Sequence, residues 1–254
     1  IKIMRLDRNN VYLFNTDNRY GIIEHTYLEL FKGEFSIAIT VRPDYRGILK
    51  EFEETNKGDL NSSYYNGCIV GATGAHQGAF ISLCYKDSIP HFTFAYRWFE
   101  EGEIEKSIDL PLNPDLDLTL DIVVHKLDSR FYISVNGTKA LSPYGNIIDY
   151  EYSYKWVGCA NNLGAGKEGY DERYASIFQG DLTKLHIQNK LMSKLETDLV
   201  FKDYKLFKDS YLYLETTNSV LFSSDFSEFT PYKVKDFSAN RNNIIKYDPR
   251  WFTN

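Results

Sequence analysis

An Asn-Gly dipeptide between two alternating segments is the feature that most constrains the fold of this chain. It lies in FYISVNGTKAL (131–141), where Phe131 and every second residue up to the dipeptide are apolar and would lie on one face of a strand. Tyr132 would lie on the opposite face. Such alternation is typical of a strand with one face in the core. Both central residues of a type I′ turn need positive φ, which Asn and Gly tolerate best. The stretch therefore predicts a β-hairpin with Asn136 and Gly137 at its turn.

Similar runs recur along the chain between turns rich in Gly, Asn, Asp and Pro, which is typical of a sandwich or barrel. Aromatic residues make up 16% of the chain, with 20 Tyr and 17 Phe, and this also favours strands. Two sheets packed through their apolar faces would leave the small polar faces outside, where they could line a concave surface. The runs are EFSIAITVRP (34–43), AFISLCYK (79–86), HFTFAYRWF (91–99), LDLTLDIVVHKL (116–127), RFYISVN (130–136) and DLTKLHIQ (181–188).

Long helices are not predicted. The best short candidate is KLMSKLETDL (190–199), in which Ser193 can cap a turn before Glu196. Segments 52–78 and 158–176 are rich in Gly, Asn and Ser and are interpreted as long loops, which in compact domains are usually functional or mobile.

Charge and cysteine content exclude several classes of function. A formal net charge of −6 lacks the basic excess that phosphate binding needs, so nucleic acid and anionic membrane surfaces are not expected partners. No stretch approaches the roughly 20 apolar residues of a membrane span. The cysteines are odd in number and lack the spacing of a metal site, so we interpret them as buried small hydrophobes: Cys68, Cys84 and Cys159. A disulfide between two of them stays an open alternative. The chain starts IKIMRLD, without a signal peptide, as a mature protein or an excised module would.

Taken in order, these runs resemble the laminin-G-like members of the concanavalin A-like lectin and glucanase superfamily. The resemblance covers roughly residues 20–200 and implies an all-β, two-sheet antiparallel jelly-roll β-sandwich. One departure is Thr183, where the family often has an Asp three positions after the Gly of F-x-G. The resemblance rests on the segments 35–44, IVVHKLDSRFYISVNGTKAL (122–141), WVGCANN (156–162), FQGDLTKLHIQN (178–189) and LMSKLE (191–196).

The C-terminal part departs from the family pattern in its position. DFSEFTPYKVKDFSANRNNIIKY (225–247) looks like the strand and Asp-rich turn that the family usually carries at its N-terminus. We therefore expect one domain over residues 1–254, in which 200–254 closes or extends the sandwich, with closure favoured.

Catalytic groups of a glycan hydrolase or lyase are sought among carboxylates and on the polar strand faces. A glucanase of this superfamily would carry acidic residues alternating on a strand, so that acid and nucleophile lie ~5 Å apart. The acidic clusters KEFEET and EEGEIEK, by contrast, are interpreted as solvated turns, and no catalytic residue is assigned. Arg97, Tyr132 and His125 form the one plausible catalytic triplet, and His125 and His186 are otherwise interpreted as surface or satisfied histidines. The acidic candidates are Glu51, Glu53, Glu54, Glu101, Glu103, Glu105, Asp117 and Asp121.

The loop CANNLGAGKEGYDERY (159–174) is the candidate recognition edge. Its carboxylates at Glu168, Asp171 and Glu172 are hard oxygen ligands that would suit Ca²⁺. Aromatic rings beside amides are typical of sugar binding, because CH groups pack on the ring and hydroxyls bond to the polar groups. A solvated acidic loop and core packing of Trp156 are the alternatives. The candidate carbohydrate-binding residues are Tyr144, Trp156, Asn161, Asn162 and Tyr170, together with Arg97 and Tyr132 on the polar face.

These features predict a non-catalytic, lectin-like carbohydrate-recognition module of a larger glycan-handling or surface protein. Two alternatives stay open: a glycan hydrolase or lyase on the same fold, and a structural or protein-binding laminin-G-like module. Carbohydrate is the expected partner, protein a further one, and Ca²⁺ the expected cofactor. The resemblance favours an extracellular or cell-surface location.

Overall fold

The computed structural model describes residues 2–7, 9–14, 33–55, 67–72, 78–99, 103–127, 130–142, 154–159 and 177–246. Four helices occur in this part of the chain: α1 (Tyr45–Thr55), α2 (Lys194–Lys202), α3 (Tyr204–Lys208) and α4 (Tyr211–Thr216), the last followed by a 3₁₀ turn at Thr217–Ser219. The strands are β1 (Met4–Leu6), β2 (Tyr12–Phe14), β3 (Phe35–Pro43), β4 (Cys68–Ala72), β5 (Gly78–Lys86), β6 (Ile89–Phe99), β7 (Glu103–Pro111), β8 (Leu120–Leu127), β9 (Arg130–Val135), β10 (Thr138–Leu141), β11 (Tyr154–Val157), β12 (Gly180–Gln188), β13 (Val220–Ser224), β14 (Phe229–Thr230), β15 (Lys233–Val234) and β16 (Ile244–Lys246).

The strands form two antiparallel sheets. One sheet has the order β1-β12-β3-β8-β9-β10, with β13 also paired to β12, and the other has the order β14-β15-β16-β2-β11-β4-β5-β6-β7. The predicted all-β, two-sheet antiparallel sandwich is confirmed. No helix among the described residues is long and apolar enough to span a membrane.

Apolar side chains from the inner faces of both sheets make the core. Phe94 of β6 packs against Phe131 of β9, with ring centroids 4.7 Å apart, and Phe14 of β2 packs edge-on against Phe222 of β13 at 5.2 Å. All four rings are almost completely buried. These aromatic pairs join the two sheets, because each pair takes one ring from either sheet.

The predicted hairpin is confirmed. Val135 pairs with Thr138, and the two residues between them have positive φ, 49° at Asn136 and 84° at Gly137. The Asn136 side chain also ties the turn to the preceding strand, since its amide oxygen accepts a hydrogen bond from the Asp121 N–H at 2.8 Å. Asn at this position therefore serves both the turn geometry and its anchoring.

The expectation that the small polar face of β3 lies outside is wrong. Every residue from Phe35 to Val41 is buried, on both faces of the strand. Helices α2 to α4 cover the outer face, where Ala38 lies in one apolar cluster with Val200 and Phe207. Small residues on β3 leave room for the helices to approach the sheet closely, so the pattern reflects helix packing rather than an open concave surface.

The predicted cap at Ser193 is confirmed, but the helical segment extends further than expected. The Ser193 hydroxyl accepts from the Glu196 N–H and the Glu196 carboxylate accepts from the Ser193 N–H, which is a complete capping box. The side chains of Asp203 and Ser210 cap α3 and α4 by accepting from the N–H groups of Leu206 and Tyr213, without the reciprocal bond of a capping box. Three short capped helices thus follow where one was predicted.

Two acidic segments that were interpreted as turns belong to regular elements. Glu51, Glu53 and Glu54 lie on α1, and Glu103 and Glu105 lie in β7. The interpretation of 52–78 as one loop is wrong at each of its three described parts, which contain the end of α1, β4 and the first residue of β5. The loop at 158–176 lies almost entirely outside the described residues.

The C-terminal residues add strands to both sheets. β13 pairs with β12, while β16 pairs antiparallel with β2 and carries β15 and β14 at the edge of the nine-stranded sheet. Whether this segment closes or extends the sandwich stays a prediction. The single-domain boundary over 1–254 stays a prediction.

Candidate functional site

Most of the predicted recognition edge lies outside the described residues. This applies to seven of the predicted residues: Tyr144, Asn161, Asn162, Glu168, Tyr170, Asp171 and Glu172. Trp156 lies in β11, where it is 3% exposed and packs with Val11, Cys159 and Ile177. Core packing accounts for this placement of Trp156, and the role of the 159–174 segment stays a prediction.

The residues of the predicted polar face belong to different sheets. Tyr132 of β9 pairs with His125 of β8 in the seven-stranded sheet, and its side chain is 38% exposed. Arg97 lies in β6 of the nine-stranded sheet, opposite Gly78 and Glu105. The structure therefore brings His125 and Tyr132 together but does not bring Arg97 into the same strand neighbourhood.

His186 lies in a buried hydrogen-bonded chain between β12 and the helices. The Tyr204 hydroxyl donates to Ser223 Oγ at 2.7 Å, Ser223 Oγ lies 2.8 Å from His186 Nδ1, and His186 Nε2 lies 2.8 Å from Gln188 Oε1. Burial lowers the pKa of His186 to about 4, so the imidazole is neutral near pH 7. A neutral ring with its proton on Nε2 satisfies every member of this chain. The network is structural, and His186 is a satisfied histidine.

The cysteines are buried free thiols, as the interpretation of small hydrophobes predicts. Burial raises the pKa of Cys68 to about 12 and that of Cys84 to about 11, so neither forms a reactive thiolate near neutral pH. In the described part of the chain no group of three or more His, Cys, Asp or Glu residues could hold a metal ion. The predicted Ca²⁺ ligands lie outside that part, and calcium binding stays a prediction.

An open cleft of about 1140 Å³ lies between α3–α4 and the β14–β15 hairpin; we call it the lysine cleft. None of its residues was among the predicted site residues. Its described lining is Lys2, Lys208, Tyr213, Leu214, Thr217, Ser227, Glu228, Phe229, Thr230, Lys233, Lys235, Asp236, Phe237, Ser238, Ala239, Arg241 and Asn243.

Lysine side chains extend over two phenylalanine rings in this cleft. The Lys208 ammonium lies 4.2 Å from the ring centroid of Phe237, and that of Lys235 lies 5.2 Å from the same ring. Lys2 lies 5.1 Å from the ring centroid of Phe229 and donates a hydrogen bond to the Phe229 carbonyl oxygen at 2.7 Å. Cation–π attraction of this kind holds the ammonium groups in defined positions.

Asp236 fixes the backbone that forms one wall of the cleft. Its buried carboxylate accepts hydrogen bonds from the N–H groups of Ser223, Ser238 and Asn242 and from the Ser238 hydroxyl, at 2.6–3.0 Å. Burial raises the pKa of Asp236, although these hydrogen bonds oppose the increase. The carboxylate is thus committed to holding the 236–242 turn, and the neighbouring side chains are set on a rigid support.

The sequence carries one signal for this cleft. Three aromatic and two basic residues lie close together in EFTPYKVKDF (228–237), a segment interpreted above only as a strand and turn. Lys208 and Lys2 reach the same cleft from distant parts of the chain, which a local pattern does not reveal.

No family model matches the chain, and no curated protein matches it. Among solved structures, a protein from Bacteroides ovatus ATCC 8483 for which carbohydrate binding is proposed has a TM-score of 0.51 and 13% identity, over 98% of this chain and 59% of that one. The CBM40 module of Ruminococcus gnavus IT-sialidase, bound to α2,3-sialyllactose, has a TM-score of 0.45 and 8% identity, over 79% and 93% of the two chains. Mouse laminin α1 domains LG4-5 have a TM-score of 0.41 and 9% identity, over 75% and 43%.

The likeness to the Bacteroides protein supports the sandwich fold, and at this identity it shows the fold alone. This chain spans 59% of the length of that protein and about a quarter, 24%, of a full-length bacteriophage tailspike protein that it also resembles. The predicted resemblance is confirmed at the level of the jelly-roll sandwich. Membership of the laminin-G-like group stays a prediction.

Proposed function

We propose that this chain is a non-catalytic carbohydrate-recognition module and that the lysine cleft is its binding site. The observation that carries the proposal is the cleft itself: half-buried rings beside side chains that form hydrogen bonds, on a rigid sandwich. Sugars present apolar CH faces and polar hydroxyl groups, and this combination matches both. The β-sandwich of the Bacteroides protein, for which carbohydrate binding is proposed, agrees with it.

The size and openness of the cleft suit an oligosaccharide. Pockets for small molecules usually enclose about 300–1,000 Å³, and this cleft is about 1140 Å³. It is bounded by short helices on one side and by a hairpin on the other, so a chain of sugar units could enter and leave it along its length. A module that holds one stretch of a longer glycan needs this shape.

The acidic groups of the cleft support recognition rather than hydrolysis. A glycosidase needs a general acid and a second carboxylate on either side of the bond that is cleaved. Asp236 already accepts four hydrogen bonds from the protein, and Glu228 is paired with Lys235 at 2.8 Å. Both carboxylates therefore serve the structure of the cleft.

The test is a glycan array followed by calorimetry on the glycans that bind. Phe229→Leu keeps apolar volume but removes the ring, and it should weaken binding by about tenfold, since one stacked ring contributes ~1 kcal/mol or more. Tyr232→Leu is the matched control, because Tyr232 is 72% exposed on the same hairpin and does not line the cleft. Equal effects of the two substitutions, or an array without any bound glycan, would refute the proposal.

Exposed apolar side chains on the helices favour protein binding as a second function. Leu206, Tyr211 and Leu214 are each more than half exposed on α3 and α4, although isolated apolar residues on a surface are common. If this surface binds protein, replacing Leu206 and Tyr211 by Ser should abolish association of the chain with protein in sedimentation velocity and leave glycan binding intact.

A further inference from the structure

The lysine cleft is basic in a protein that is acidic. Five basic side chains and two acidic ones line it, a net formal charge of +3, whereas the whole chain has a formal net charge of −6. The five basic residues come from three separate parts of the chain: the N-terminus, α3 and the continuous stretch 233–241. Folding therefore concentrates positive charge at one place, where it raises the local concentration of anions.

Within the described part of the chain, some of this positive charge has no anionic partner. Lys235 pairs with Glu228, and Asp236 is occupied by its hydrogen bonds. Among the residues that the structure describes, neither Lys208 nor Arg241 forms an ion pair. Lys208 is instead held over the Phe237 ring, so its ammonium group is positioned before any ligand arrives. Groups held in place in this way lose little entropy on binding.

We propose that the lysine cleft binds an acidic glycan, that is, an oligosaccharide whose sugar units carry carboxylate or sulfate groups. This inference rests on the proposed function and adds the chemical class of the ligand. Lys2, Lys208 and Arg241 bind the anionic groups, while the rings of Phe229 and Phe237 contact the apolar faces of the sugar. Charge-assisted hydrogen bonds to carboxylate or sulfate are stronger than those to hydroxyl groups, which favours the acidic sugar over its neutral counterpart.

Charge density favours a glycan over nucleic acid. Duplex DNA carries one negative charge per about 1.7 Å of its axis, and beyond the cleft it would meet a protein surface of net negative charge. An acidic glycan has at most a few charges per sugar unit, so a short stretch of it can place its charges within the cleft. An acidic peptide carries the charges but lacks the apolar CH faces of a sugar, which would pack against the phenylalanine rings.

The experiment compares matched ligands with matched variants by calorimetry. The ligands are an oligogalacturonide hexasaccharide, the same hexasaccharide with its carboxylates methyl-esterified, and a chondroitin sulfate hexasaccharide; poly-L-glutamate and a short single-stranded DNA serve as polyanions without the pyranose faces. The test variant is Lys208→Gln with Arg241→Gln. The control variant is Lys50→Gln with Lys194→Gln, which removes the same charge from exposed positions on α1 and α2. Thermal melting checks that both variants fold.

The proposal predicts that at least one of the two acidic hexasaccharides binds. The cleft variant should bind it about tenfold more weakly, because charge-assisted contacts are lost. The control variant should bind it as the original protein does. Binding of galacturonide alone assigns carboxylate. Chondroitin sulfate also carries glucuronate carboxylates, so its binding assigns sulfate only if chemical desulfation of the hexasaccharide abolishes binding, and assigns carboxylate if binding survives desulfation. If the methyl ester binds as well as the acid, or only neutral array glycans bind, the proposed function stands and this inference is wrong. Equal binding of poly-L-glutamate or DNA would also overturn it, and absence of all glycan binding would overturn both.

Discussion

Because His186 of β12 is buried, the free energy of unfolding of the protein should decrease at mildly acidic pH. Burial lowers the pKa of His186 from 6.5 to about 4 in the folded protein, whereas in the unfolded chain it returns to its ordinary value. The unfolded state therefore binds the proton more readily, so acid favours unfolding. The contribution of the neutral ring is complete above pH 6.5 and is lost as the pH falls towards about 4.

The size of this effect follows from the shift. One pKa unit corresponds to 1.36 kcal/mol, so the full shift is worth about 3 kcal/mol of the free energy of unfolding. Burial is the main reason that the ring stays neutral, and protonation of Nδ1 would also turn an acceptor of the Ser223 hydroxyl into a donor, while Ser223 Oγ already accepts from Tyr204. The hydrogen bond to Gln188 favours the protonated ring but only partly offsets the effect of burial.

Urea unfolding at a series of pH values between neutral and about 4 measures this contribution. His186→Gln should be less stable than the original protein at neutral pH, and the difference should shrink by about 3 kcal/mol as the pH falls, because the variant has no imidazole to protonate there. His91→Gln, at a half-exposed position of β6, is the control and should retain the acid-induced loss. A difference between His186→Gln and the original protein that stays constant with pH would refute this reasoning.

Three further predictions concern two glycines and calcium. Gly137→Val should destabilise the protein by roughly 1 kcal/mol or more in thermal melting, through the positive φ of 84° alone, since nothing lies within 4 Å of the added Cβ; an unchanged melting temperature would contradict it. Gly180→Ala should cost at least about 2 kcal/mol, because its Cβ would lie 2.4 Å from the Arg42 carbonyl oxygen and its φ is 154°; a cost below that of Gly137→Val would show that β12 can move away from β3. Calcium should raise the melting temperature by mass action, and chelator should reverse this. Asp171→Ala should abolish the calcium response, and a response that survives would place the ion elsewhere.

Local sequence signals predicted the elements that depend on neighbouring residues. The hairpin at Asn136-Gly137 follows from the φ values that its turn needs, and the cap at Ser193 follows from the paired Glu196. Alternation likewise predicted β3 and its apolar face. In each case the residues that determine the geometry lie within a few positions of each other, so the pattern carries the information.

The placement of the helices on β3 could not be predicted in the same way. A face such as that of Ser36, Ala38 and Thr40 looks the same whether it borders solvent or a helix, since small side chains suit both. The residues that cover it come from α2 to α4, more than 150 positions away in the chain. The same limit applies to His186, which was interpreted from a polar strand face and is completely buried beneath Phe207 and Tyr204.

The candidate site depends on residues that are distant in sequence. The stretch at 228–237 shows lysines and phenylalanines together, but Lys2 and Lys208 reach the same cleft only because the strands and α3 pack as they do. Most of the site residues that the sequence did suggest lie in 159–174, outside the described residues. The fold class therefore follows from local patterns, whereas the position of the cleft depends on how distant parts of the chain pack together.

Backbone amide shift mapping tests the central proposal most directly. A glycan that binds on the array is titrated into ¹⁵N-labelled protein while two-dimensional ¹H–¹⁵N spectra are recorded. The proposal predicts that the largest shifts cluster at the amides of Phe229, Lys233, Phe237 and Arg241. In Phe229→Leu, a higher glycan concentration should be needed to saturate these shifts. Largest shifts at residues 159–174, with the cleft amides unchanged, would contradict the assignment of the lysine cleft as the carbohydrate-binding site.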